Sequence, residues 1–158
     1  MGIKDKTYKI IFYGKAGSGM QLLARLFVNQ ILKTYKDINI SYYFDYDSTV
    51  RGGDTLAYIT TNIKNKIKEF VFRKCDLLIS FEEEFPKKIK PVFVIGNIDT
   101  KNAHKIDFRR ISLEKFKTQL YANMIVLGYL CAKFKINITI KLDKINKSAF
   151  KLGYSLYK

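Results

Sequence analysis

YKIIFYGKAGSGMQLLARLFVNQILK, residues 8–33, is the stretch on which the fold turns. Tyr8 to Tyr13 is a β-branched and aromatic run that stops at a glycine, which reads as a buried strand. Gly14 to Gly19 (GKAGSG) reads as a loop. From Met20 to Lys33 the apolar residues Leu23, Leu26, Phe27 and Ile31 recur at helical spacing. Lys33 falls in the last turn, where a cation complements the helix dipole. Strand, glycine loop and helix together open a βαβ unit.

Working outward, Asn39 to Phe44 (NISYYF) reads as a second strand, and Asp45 to Asp54 as a polar loop. Thr55 to Thr61 (TLAYITT) reads as a third strand, and Asn62 to Lys66 as a turn. Ile67 to Phe72 reads as an edge strand whose alternation is imperfect. Asp76 to Phe81 (DLLISF) and Pro91 to Ile95 (PVFVI) are buried-strand patterns, the second closed by Gly96. Ser112 is placed as the N-cap of one long helix, Leu113 to Lys133, with Phe116, Leu120, Met124, Leu127 and Cys131 as its apolar stripe. Residues 134–158 are less regular, with a short helix near Lys147 to Leu152. The expectation is an α/β fold: one doubly wound, largely parallel sheet with flanking helices. The Thr55–Phe72 region leaves room for an antiparallel edge hairpin. At 158 residues, with no linker, the chain is expected to form a single domain over 1–158.

Composition narrows the function. Apolar residues make up 47%, with 12 Phe and 11 Tyr, which is core-forming material. The formal charge of +15 suggests nucleic acid, an anionic membrane or an acidic partner. That charge is scattered, however, and only five of the 29 cations are Arg, the residue best suited to bidentate phosphate and base recognition. This argues against nucleic acid, and leaves AT-rich coding bias or an acidic partner subunit as sources of the charge. Two cysteines, Cys75 and Cys131, with no CxxC pair, together with an N-terminus that lacks a signal-peptide core, point to the cytoplasm. The apolar stretch Met124–Ala132 is far shorter than the roughly 20 residues that cross a bilayer.

Two constellations could carry chemistry. Gly14, Gly17 and Gly19, with Lys15 and Ser18 between them, place a G-x-x-G-x-G loop at a helix N-terminus, where backbone N–H groups and the dipole suit an anion. Neither the dinucleotide nor the P-loop fingerprint is met. A tight turn packed on a partner and an anion site both remain open. Arg51-Gly52-Gly53-Asp54 is the second: an Arg beside two Gly can reach a carboxylate or phosphate, or can be a solvated turn. Two Cys cannot supply the four thiolates of a [4Fe–4S] cluster. His104 stands alone and reads as a surface residue. Glu82, Glu83 and Glu84 are adjacent and read as a solvated helix start or a partner contact, and Asn123 as a polar core or interface residue.

With these segments in order, the chain resembles the gamma family of 2-oxoacid:ferredoxin oxidoreductases. The family's G-x-G-G-Q-G loop corresponds to Gly14-Lys15-Ala16-Gly17-Ser18-Gly19, in which Ala16 replaces a Gly and Ser18 a Gln. Its Arg-Gly-Gly corresponds to Arg51-Gly52-Gly53, and its Asp-led buried strand to Asp76-Leu77-Leu78-Ile79-Ser80. Its Asn-to-Leu-Gly helix corresponds to Asn123 through Gly128, and its terminal Asn, Ala-Phe, Gly-Tyr pattern to Asn146, Ala149-Phe150 and Gly153-Tyr154.

The resemblance implies a subunit of an enzyme that oxidatively decarboxylates a 2-oxoacid such as pyruvate, with coenzyme A as acyl acceptor and ferredoxin as electron acceptor. It places thiamine diphosphate, Mg²⁺ and the iron–sulfur clusters in partner subunits, so this chain is expected to bind none of them and to hold no catalytic or metal-ligating residue. Gly14, Gly17, Ser18, Gly19, Arg51, Gly52 and Gly53 are then the coenzyme- or partner-binding residues. The rival readings are a basic nucleotide- or nucleic-acid-binding α/β module and a flavodoxin-like electron carrier.

Overall fold

The computed structural model describes residues 3, 7–46, 52–63 and 67–157. Among these residues six strands form one sheet: β1 (Tyr8–Lys15), β2 (Asn39–Tyr46), β3 (Asp54–Asn62), β4 (Lys74–Ser80), β5 (Lys90–Gly96) and β6 (Ala103–Lys105). Four helices accompany them: α1 (Met20–Thr34), α2 (Phe108–Phe116), α3 (Ala122–Lys133) and α4 (Lys144–Leu156). The strand order is β2-β3-β1-β4-β5-β6. β4 pairs parallel with β1 and with β5, and β5 pairs parallel with β6. β3 runs antiparallel to both β1 and β2. The α/β class and the mainly parallel sheet flanked by helices are therefore as expected.

β1 is central and covered on both faces, which is why it reads as a continuous apolar run instead of an alternating one. Ile10 and Phe12 face one core cluster and Ile11 and Tyr13 the other. The first cluster holds all the buried apolar residues of the four helices. The second is closed by connecting segments, through Phe72, Phe85, Ile89 and Ile98.

Several boundaries differ from the sequence reading. The antiparallel hairpin is β2–β3, and it inserts β3 between β1 and β2, which makes β1 and β2 non-neighbours. Residues 67–72 form no strand: Phe72 is buried against Tyr58, while Phe70 and Val71 project into solvent. The long helix is two helices. α2 starts earlier, with Asp107 as its N-cap accepting the Arg110 N–H at 2.9 Å, and it ends at Lys117 in the left-handed region (φ 61°). Ser112 is not a cap. It is buried inside α2, where its hydroxyl donates to the Thr118 carbonyl at 2.7 Å and holds the chain as it turns. The break puts Leu120 outside the stripe, 78% exposed.

α3 is apolar on every side because α1, α2 and α4 all pack on it. The buried Gln30 of α1 accepts the Thr139 N–H at 2.8 Å, anchoring the segment between α3 and α4. α4 is longer than the expected Lys147–Leu152 because Asp143 caps it, accepting the N–H groups of Ile145 and Asn146. These bonds, first of all that from Asn146, lower the Asp143 pKa. A carboxylate whose folded pKa is depressed contributes stability above its unfolded pKa and loses it as pH falls through the folded value. Asp143→Asn keeps an acceptor at the cap, so it should retain most of the wild-type stability at neutral pH while flattening the acid limb of a melting-temperature profile. An unchanged acid limb would remove Asp143 from the pH dependence.

Candidate functional site

β1, β4 and β5 run parallel, so their carboxyl ends share one edge of the sheet. From β1 the chain turns toward α1 and the first core cluster. From β4 it turns through residues 81–89, where Phe85 and Ile89 pack in the second. The two exits diverge and leave a crevice between the ends of β1 and β4, where open α/β sheets characteristically bind ligands.

The glycine loop forms one wall. Gly17 (φ 82°) and Gly19 (φ 76°) take left-handed conformations that other residues resist. Gly19 is also the N-cap of α1, and its carbonyl accepts the Leu23 N–H at 3.0 Å; among the described residues no side chain caps the helix. Helix geometry directs the N–H groups before Leu23 away from the helix, toward the loop. A Cβ at Gly17 would meet nothing within 4 Å among the described residues, so the loop is open above it. Gly14 is different: a Cβ there would lie 2.8 Å from Ser18 Oγ, so its bareness makes room for the loop's own return. The Ser18 hydroxyl oxygen is enclosed and has no hydrogen-bond partner among the described residues. A Cβ on Gly19 would lie 2.9 Å from Asn123 Nδ2, which places Asn123 at the start of α3 against the loop.

The structure joins what the sequence kept apart. Because β3 runs antiparallel to β1, it begins where β1 ends. The Ala16 N–H donates to the Gly53 carbonyl at 2.9 Å, and Thr55 Oγ1 donates to the Gly14 carbonyl at 2.7 Å. Lys15 Nζ contacts Asp54 at 2.5 Å, and Tyr13 OH donates to the same carboxylate at 3.1 Å. Burial and the Asp54 carboxylate push the Tyr13 phenol up to about 12. Gly52 (φ 79°) is exposed. Arg51 lies outside the described residues.

The other wall went unread in the sequence. Glu82 does not start a helix. Ser80 Oγ accepts the Glu82 N–H and donates to the Glu82 carbonyl, turning the chain as it leaves β4. Glu82 then accepts the Lys15 backbone N–H at 3.1 Å and pairs with Arg109 of α2 at 2.8 Å. Arg109 also lies over the Phe81 ring, 5.6 Å from its centroid. Glu82, Arg109, Asn97 and Asp107 line a cleft of about 610 Å³. Across Arg109, a hollow of about 440 Å³ runs between the glycine loop and Gln119 and Asn123. The only signal for this wall was a Ser-Phe-Glu sequence closing a buried strand. The Arg109 partner is 27 residues away and could not be paired from spacing.

His104 is exposed and sits near Tyr129 OH, as a surface residue would. Both cysteines are buried, and burial pushes each thiol up to about 12, so neither is a poised nucleophile. Among the described residues no group of three His, Cys, Asp or Glu side chains is placed to hold a metal ion, and no helix is long and apolar enough to cross a membrane.

A family model described as pyruvate ferredoxin/flavodoxin oxidoreductase matches residues 9–155. No curated protein matches the sequence. The fold is similar to that of the keto/oxoacid ferredoxin oxidoreductase gamma subunit from Geobacter sulfurreducens, with a TM-score of 0.68 at 16% identity over 94% of this chain and 96% of that one. It is similar to the pyruvate oxidoreductase subunit PORC from Thermotoga maritima, with a TM-score of 0.68 at 17% identity over 96% and 97% of the two chains. It also matches 2-oxoglutarate:ferredoxin oxidoreductase from Magnetococcus marinus, a structure with 2-oxoglutarate, coenzyme A and succinyl-CoA bound, with a TM-score of 0.75 at 15% identity. There 97% of this chain corresponds to 31% of the larger one.

Proposed function

This chain belongs to the pyruvate ferredoxin/flavodoxin oxidoreductase family, and from that premise we propose that it serves as a gamma-type subunit of a 2-oxoacid:ferredoxin oxidoreductase. The complex decarboxylates a 2-oxoacid oxidatively, passes the acyl group to coenzyme A and the electrons to ferredoxin. Thiamine diphosphate, Mg²⁺ and iron–sulfur clusters reside in companion subunits. This chain contributes assembly and the coenzyme-side surface.

The observation that carries this reading is the bond between Ala16 and Gly53. It holds the glycine loop and Gly53 edge to edge beside the crevice, so the backbone N–H groups at the start of α1 and the Gly52-Gly53 turn can act as one surface. Anionic groups of a coenzyme, or a partner's backbone, can approach that surface closely because Gly17 and Gly52 put no side chain in the way.

The chain purified from its source should come with companions that hold thiamine diphosphate, and removing it should abolish coenzyme-A-dependent oxidation of the 2-oxoacid. Recovery as a free monomer would refute the subunit reading. Arg51→Ala should raise the apparent KM for coenzyme A or weaken assembly about tenfold, the scale of losing a charge-assisted contact. A fully active variant complex would remove Arg51 from the surface.

A further inference from the structure

The far end of the sheet carries charge that the crevice does not use. At the amino ends of β4 and β5, Lys74 lies beside Lys90 in register, and the Arg73 carbonyl accepts the Lys90 N–H at 2.7 Å. Lys90 joins Lys87 and Lys101 around a hollow of about 620 Å³ with an apolar floor that includes Ile89 and Val94 and no carboxylate in its lining. All five cations are exposed, and none of them forms an ion pair among the described residues. The neighbouring acids are already engaged: Glu69 by Lys9, Asp99 by Lys105, and Asp76 by the Lys9 N–H.

Apolar side chains stand out in the same region. Val92, two residues along β5 from Lys90, is 67% exposed, and Phe70 and Val71, just before Arg73, are 56% and 51% exposed. Exposed apolar residues beside a rim of one charge sign are the make-up of a protein interface. Unpaired cations repel one another until a surface of opposite sign arrives. A nucleic-acid duplex would offer phosphates to the lysines but would set its charged backbone, with the bases already stacked inside, against Phe70, Val71 and Val92, and four of the five cations lack the guanidinium fork.

We propose that this end of the sheet docks an acidic surface of a companion subunit, one that sets apolar residues against Phe70, Val71 and Val92 inside a rim of carboxylates. The proposal rests on the reading that the chain works as a subunit. It adds a second contact, at the opposite ends of the parallel strands from the crevice, so that one small chain engages the complex from both ends of its sheet.

The test titrates the chain against the companion subunits expressed together, comparing wild type with two triple variants: Lys74→Gln, Lys90→Gln, Lys101→Gln, and the same three changed to Glu. Binding should weaken about tenfold with Gln and about a hundredfold with Glu, and the wild-type affinity should fall with added salt more steeply than that of the Gln variant. Val92→Ser should weaken binding without altering the salt slope. The changed side chains are exposed, so melting temperatures should stay at the wild-type value and separate docking from folding. Equal binding by wild type and both triple variants would overturn the docking surface and leave the subunit reading intact. No binding by wild type would sink the subunit reading and this inference with it. Tighter wild-type binding to a DNA duplex of about 20 base pairs at about 0.15 M salt, lost in the Glu variant, would make the surface a nucleic-acid site and overturn the proposal.

Discussion

Gly153→Ala is expected to destabilise the protein by about 3 kcal/mol and to lower its melting temperature by about 6–12 °C. An ideal Cβ on Gly153 would lie 1.8 Å from the Ile125 carbonyl oxygen and 2.6 Å from its carbon; one on Gly128 would lie 2.0 Å from the Phe150 carbonyl oxygen. α3 and α4 thus cross backbone against backbone, each presenting a glycine to the other. Alanine gains roughly 1 kcal/mol over glycine in a helix interior, so on propensity alone this change would stabilise. Sterics decide the sign. The obstacle is backbone, which cannot rotate away as a side chain does, and relieving the collision opens the helix pair by about 1.5 Å or more. Ala149 and Phe150, the buried contacts of α4, move with it. Gly128→Ala and Gly153→Ala strain the same crossing, so the double variant should cost less than the sum of the two. Lys151→Ala on the exposed side of α4 is the control, within about 0.5 kcal/mol of wild type. A Gly153→Ala protein that melts with wild type would mean that α3 and α4 stand further apart.

That crossing shows what the sequence made legible. Gly128 and Gly153 were visible as parts of a motif pattern, but their mutual contact needed the helix geometry. The opening strand, glycine loop and helix were readable because burial on both faces and helical periodicity leave strong local marks. The α2–α3 break left none: Lys117 takes a left-handed conformation with no Gly or Pro to announce it, and the apolar spacing from Phe116 to Met124 runs across it undisturbed. The insertion of β3 between β1 and β2 is equally silent locally, because strand order is set by which edges pair, not by any one strand's composition. The site divides the same way. Gly17, Gly19 and Gly52 were found because positive φ selects a residue type. Glu82 was read as a solvated helix start or a partner contact because its partners, the Lys15 N–H and Arg109, come from elements 67 and 27 residues away.

Gly17 offers the sharpest test of the proposed surface, because its two reasons for being glycine can be separated. The first is conformational: at φ 82° any residue with a Cβ incurs about 1–2 kcal/mol, and nearly all of that is reached with alanine. The second is spatial: among the described residues nothing lies within 4 Å of the Cβ position, so a side chain there leaves the backbone into open space. Stability should therefore step down once, from Gly to Ala, and then level off at Gly17→Phe. Function should not level off. If a coenzyme or partner backbone comes close over Gly17, each added atom displaces it further, and misplacement of about 1 Å costs on the order of a hundredfold in rate. Gly17→Ala should reduce coenzyme-A-dependent turnover of the reconstituted complex about tenfold, and Gly17→Phe about a hundredfold. Gly14→Ala serves as the contrast: its Cβ meets Ser18 Oγ at 2.8 Å and Met20 Cε at 3.3 Å inside the loop, so its loss of turnover should follow its loss of stability. Turnover that tracks melting temperature across all three variants, or that is indifferent to side-chain size at position 17, would mean that the loop is only a tight turn and that the approach surface lies elsewhere.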